Sequence, residues 1–287
     1  MSNGTVIDLQ PAADVLNNLI NKLSDAIGWI ATHETLEKRA LDTYVRGIEE
    51  SDLPPLAKAA EICKAKKTLK EYCNQDSIYR KASNMMAESA KPEEIDEDWI
   101  AQFADKARLV SNQDFQILWA GVLAQECNKP GSIPKALLKI IEQMDRSMAD
   151  AFMKVASCSV WYIENGRKRY APLIYYSVRN NEYCAQLGLC YEDLLDLESV
   201  GLVKIGNATG PSSYNRIYSG TIHYFNKEAS VYPLKGEMAI GHVEYTKAGE
   251  ALCAAVKPDE IEDFLKKYVR RLMAGLSLQE EWSPENP

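Results

Sequence analysis

The sequence predicts a mainly α protein: an N-terminal all-helical domain over residues 1–160, then a smaller α+β winged-helix-like domain with a C-terminal helix over residues 161–287. Three observations predict it. Apolar residues recur at helical spacing through most of residues 14–159. β-favouring segments and turn signals begin only near Trp161. From Tyr191 onward the order helix, turn, strand, loop, strand is the layout of a winged helix.

Residues 98–142 organise the first part as helix, turn, helix, break, helix. Phe115, Leu118, Trp119, Val122 and Leu123 follow the spacing of one buried helical face. Ser111 is expected to start that central helix, with Asp114 completing a capping box. Lys129-Pro130-Gly131 ends it, and Ser132 is expected to cap the next helix.

The other elements follow in order. Residues 1–10 read as a loose arm. Val15, Leu16, Leu19, Ile20, Leu23, Ile27 and Ile30 mark an amphipathic helix from Asp14, with Gly28 and Trp29 near its end. A charged helix spans about 34–50, and Asp52-Leu53-Pro54-Pro55 breaks it. Leu56 to Met86 reads as one long helix or two collinear ones, carrying Lys58, Lys64, Lys66, Lys67 and Lys70. Those lysines fit a solvated face or a surface for an anionic partner. Helices follow over 96–107, 134–143 and 147–159, the last with Ala149, Phe152, Met153 and Ala156 inward. Asn165-Gly166 is a turn signal, and residues 170–178 favour a strand. A helix at 191–198 runs into a strand at 200–205. A polar loop spans 206–220, and residues 221–225 return as a strand. A strand at 241–245, a Thr246-capped helix and an amphipathic helix over 259–274 complete the chain.

Charge and composition narrow the function classes. Lys and Arg number 33 against 41 Asp and Glu, a net charge of −8. Such a chain is not a general nucleic-acid binder, because phosphate contacts need clustered cations. The start lacks a basic, then apolar, leader, and no run is apolar enough to span a membrane. The seven cysteines are scattered and lack any CxxC pair, as expected of reduced thiols in the cytoplasm.

At residues 98–132 the chain resembles a bacterial family known only as domain of unknown function 2806. The residues carrying the resemblance are Asp98-Trp99, Gln116 to Ala120 with Trp119, Ala124 to Glu126, and Pro130-Gly131-Ser132. The likeness is strongest over residues 15–160. It departs at Ile133-Pro134, where an aromatic and a small polar residue are expected. The family lends no activity. The resemblance implies a bacterial or prophage setting and suggests a role in anti-phage defence.

The usual catalytic patterns are missing from the sequence. Three histidines, His33, His223 and His242, occur without an HExxH or a zinc-finger spacing. Gly201 and Gly206 fit GxxxxG, but Asn207 stands where a phosphate loop needs Lys. Glu126 is weighed as a general acid or base against bonding turn amides or Arg108. The 130–132 turn is weighed as an anion cradle against a plain turn. Arg167, Lys168, Arg169 and Arg216 are the candidates for touching DNA or a partner. Glu192, Asp193, Asp196 and Glu198 on the neighbouring helix oppose phosphate. The expectation is a non-catalytic cytoplasmic interaction or regulatory protein with a protein partner and no cofactor or metal. Self-association is compatible with it, and the alternative is a DNA-associated regulator using the second domain.

Overall fold

The computed structural model describes residues 10–31, 34–174, 188–206, 215–218, 220–231 and 237–266. Helices come first: α1 (Gln10–Ile27), α2 (Glu34–Glu49), α3 (Pro55–Ser83), α4 (Glu97–Ala107), α5 (Gln113–Asn128), α6 (Lys135–Gln143) and α7 (Arg146–Ser157). Then come β1 (Ser159–Glu164), β2 (Arg167–Pro172), α8 (Tyr191–Ser199), β3 (Val203–Ile205), β4 (Asn215–Tyr218), β5 (Gly220–Tyr224), β6 (Lys227–Val231), β7 (Glu237–Gly241), β8 (Val243–Tyr245) and α9 (Lys247–Ala255). The protein is mainly α with a smaller α+β part. It divides into two compact units, Met1–Leu138 and Lys139–Pro287.

The core of the first unit forms around α5. Asn112, not Ser111, caps this helix: its side-chain oxygen accepts the amides of Asp114 and Phe115. Asn holds the short acceptor at the position where the backbone is still extended, so the cap falls one residue later than expected. Leu118, Trp119, Val122 and Leu123 are buried as their spacing predicts, and so are Gln116 and Glu126, whereas Phe115, expected on the same face, is only half-buried. Phe103 joins Trp99 in a stack at 5.3 Å and meets Trp119 edge-on at 5.2 Å. α3 is one continuous helix of 29 residues. Pro54 precedes it and Pro55 opens it, where a missing amide proton costs nothing.

The second unit holds α7 and all the strands. Asp145 caps α7, whose buried residues are Ala151, Phe152, Val155 and Ala156. Ala149 and Met153 are only half-buried. Asn165 and Gly166 sit at φ 50° and 73°, as a two-residue hairpin turn requires, and join β1 to β2. The strand expected at 170–178 therefore starts earlier, because the turn sets the hairpin from both sides. One antiparallel sheet has the order β2-β1-β5-β6, while β3 pairs β8 and β4 pairs β7. The return strand expected at 221–225 is β5, but its neighbours are β1 and β6. β3 is closed instead by β8, far along the chain. Thr246 caps α9 by accepting the Gly249 amide, and its hydroxyl donates to Gly201 O at 2.6 Å. Half of the expected helix, residues 267–274, lies outside the described residues; of the rest, 264–266 are helical and 259–263 are not. Of the arm expected at 1–10, residues 1–9 also lie outside the described residues and Gln10 opens α1.

Candidate interaction surfaces

The family-motif residues split into two places in the first unit. Trp99 Nε1 donates to Ile133 O at 3.0 Å, and Asp96 caps α4 by accepting the Trp99 amide. Pro130-Gly131 turns the chain, with Gly131 at φ 79° and the Ser132 amide bonded to Lys129 O. Pro followed by a positive-φ Gly is the signature of a type II turn. Glu126, 1% exposed, accepts the Gly131 amide at 2.6 Å and the Ile133 amide at 2.8 Å. Burial pushes its carboxyl above the usual range, against the amides that favour its charge. The Gly131 and Ile133 amides are thus engaged by the chain's own carboxylate rather than open to an external anion. Ser132 does not cap α6: its hydroxyl lies 3.4 Å from Gln125 O, and α6 begins after Pro134. Arg108 pairs with Glu71 and Asp105.

Gln116 occupies the other place. Its amide donates to Val110 O, and its oxygen accepts Ser77 at 2.7 Å and Lys81 at 3.0 Å. Lys81 also reaches Gln113 and Ser77, and burial lowers its pKa. This net ties α3 to α5 through one buried amide.

The basic set of the second unit is divided by strand alternation. Arg169 lies 3.0 Å from Glu250, which also accepts the Tyr170 amide. Lys168, on the opposite face, sits 4.2 Å over the Trp161 ring and 5.0 Å over Tyr170. Trp161 stacks on His223 at 3.8 Å, so cation and imidazole cover its two faces. Burial lowers Lys168 and pushes Tyr170 up to about 12. Arg167 is exposed at the hairpin end, and Arg216 is a β4 position whose side chain lies outside the described residues. On α8, Asp193 accepts the Cys190 amide and Glu198 the Ile205 amide, while Glu192 and Asp196 are exposed.

Two features escape sequence reasoning. A cleft of about 370 Å³ opens where Trp29, Tyr72, Gln75, Ala104 and Arg108 meet. At its wall Trp29 stacks on Tyr72, whose hydroxyl donates to Ile30 O at 2.7 Å. This anchors the chain after α1 to the middle of α3. Beyond that anchor, toward its start, α3 is an arm. No residue from Pro55 to Cys73 is buried, and every buried residue of α3 lies from Asn74 onward. α2 returns along it, with Ile48 buried and Leu41 and Val45 half-buried. Tyr44, Leu53 and Leu56 of this hairpin stay exposed, Leu56 at 84%. Lys67 is 3.8 Å from Glu71 and Lys58 bonds Glu49 O. Among the described residues, Lys64, Lys66 and Lys70 have no ion-pair partner.

Fold and surfaces together define a helical protein with a small antiparallel α+β unit and a helical hairpin whose α3 part buries no side chain before Asn74. The chain belongs to the family described as protein of unknown function (DUF2806), whose profile matches residues 60–269. The match begins inside α3 and runs through the strands, so it reaches further into the second unit than the motif residues suggest. No curated protein and no solved structure matches the chain.

Proposed function

We propose that this protein is a non-catalytic interaction or regulatory component that works by docking a partner protein on the α2–α3 hairpin. The single observation that carries this is the α3 arm. A helix of 29 residues is about 44 Å long, and its first five turns bury no side chain. Helices in folded proteins owe most of their stability to a packed face, so an arm with exposed Leu53, Leu56 and Tyr44 suits a further surface. A cytoplasmic, bacterial setting and a part in phage defence belong to the same proposal. The test is affinity purification from the host of the full chain and of Leu56→Asp. A partner retained by the first and lost by the second, with equal melting temperatures, is expected. Equal recovery by both, or turnover of a small metabolite by the purified protein, overturns it.

A second reading is a DNA-associated regulator. It is favoured by α8 running into β3, which pairs antiparallel with β8, although β4 to β7 intervene in the chain where a winged helix has a single short loop. Exposed Glu192 and Asp196 weigh against it, since α8 would meet phosphate. Arg167 and Arg216 would then supply the backbone contacts. Duplex binding that weakens steeply with salt is expected on this reading. No gel retardation at low salt removes it.

A further inference from the structure

We propose that the outward face of α3 docks an acidic amphipathic helix of the partner protein. The inference rests on the interaction reading above and names the chemistry of its occupant.

The face has two parts in series. At 100° per residue, Leu56, Ala59, Ala60 and Cys63 fall on one side of the helix at i, i+3, i+4 and i+7. All four are exposed. The half-buried Ile62, Ala65 and Leu69 form a different stripe of the same helix, and α2 packs against α3. The outward stripe continues, a turn later, into the exposed Lys67 and Lys70, with exposed Lys66 at its edge; Lys67 lies 3.8 Å from Glu71, and among the described residues Lys66 and Lys70 have no ion-pair partner. A helix laid along this face meets an apolar strip first and cations next.

Charge complementarity selects the occupant. Unpaired ammonium groups call for carboxylates or phosphates. The apolar strip decides between them, because a phosphate backbone leaves Leu56 in water whereas an amphipathic helix covers it. The net charge of −8 further disfavours a long polyanion, whose field is repelled by the rest of the chain. A second copy of this chain would set lysines against lysines wherever the same faces meet, which costs contact energy.

The test uses the full chain and five fluorescent probes: a synthetic helix-forming peptide with leucines on one stripe flanked by glutamates, its lysine-for-glutamate counterpart, a scrambled acidic peptide, and a mixed-sequence DNA in single-stranded and in duplex form. Anisotropy at low and high salt is the readout. The acidic amphipathic peptide is expected to bind at least tenfold tighter than the scrambled one. Lys66→Glu with Lys70→Glu is expected to weaken it at least tenfold and to raise affinity for the lysine peptide. Leu56→Asp is expected to weaken both. Circular dichroism melts show that the variants remain folded. Equal binding of acidic and scrambled peptides overturns the proposal. So does tighter binding of DNA, which marks a nucleic-acid surface, or self-association abolished by Leu56→Asp, which marks an interface between copies. If a host partner is still lost with Leu56→Asp while the acidic peptide fails, this inference falls and the broader reading stands.

Discussion

Glu126→Gln tests the knot between α5 and the Pro130-Gly131 turn. The carboxylate accepts two amides, from Gly131 and Ile133, and is almost fully enclosed. Glutamine keeps one acceptor and replaces the other with a donor facing an N–H. One buried amide is then unsatisfied, at about 1–3 kcal/mol, and the surviving bond loses its charge assistance. Against this, the variant no longer holds a carboxylate out of water. The expected net loss at neutral pH is about 2 kcal/mol. The pH dependence fixes which effect wins. Burial raises the folded-state pKa of Glu126 above its ordinary value of 4.5. A raised folded pKa contributes stability that is complete below the unfolded pKa and is lost as pH rises through the folded one. Glutamine does not titrate, so the gap between wild type and variant should narrow as pH rises above 4.5. Urea unfolding at about pH 4.5 and pH 7.5 measures it. A gap that widens with pH means the amide bonds outweigh desolvation and the carboxyl is held below its ordinary value. That result refutes the argument.

Other positions give separate tests. Trp119→Ala removes a buried ring from its edge-on contact with Phe103, and should cost about 3–5 kcal/mol, read as a lowered urea midpoint. Gly249→Ala would place a methyl 1.9 Å from Leu202 O, so the second unit should lose about 3 kcal/mol or fail to fold, seen in its near-ultraviolet dichroism. Lys168→Ala should cost only about 0.5–1 kcal/mol, because the cation over Trp161 is still partly solvated; a shift in Trp161 fluorescence without loss of fold is the measurement.

Much of the helical part was legible because its signals are local. The spacing of Phe115 to Leu123 needs only neighbours within two turns, and Asn165-Gly166 carries its own turn chemistry. Thr246 is likewise a cap that can be read three residues at a time. The strand pairings were not legible in the same way. Residues 221–225 announce a strand, but nothing within them states that β1 and β6 are the neighbours, since pairing is set by contacts far apart in sequence. The division of Arg167, Lys168 and Arg169 was within reach, for a period of two places Lys168 on the face opposite its neighbours. Reading the three as one basic cluster ignored the strand they form.

The same distinction explains why α3 resisted reading. Its two halves answer to different surroundings. From Ile62 to Leu69 there is only a weak half-buried stripe, and from Asn74 to Ala82 the buried set includes the polar Asn74 and Asp76 beside Ile78 and Tyr79. Asn74 is tolerated there because its amide donates to Arg108 O at 2.8 Å, and Asp76 because Arg80 pairs with it at 2.6 Å. Polar residues on the inner side and Leu56 with two alanines on the outer side cancel any amphipathic pattern taken over the whole helix. A run of lysines on such a helix looks like ordinary solvation. Only the anchor of Tyr72 on Ile30 separates the half inside the unit from the half that projects. That anchor joins residues 42 positions apart, so no local rule finds it. It makes the lysines part of an arm rather than the outer wall of a bundle.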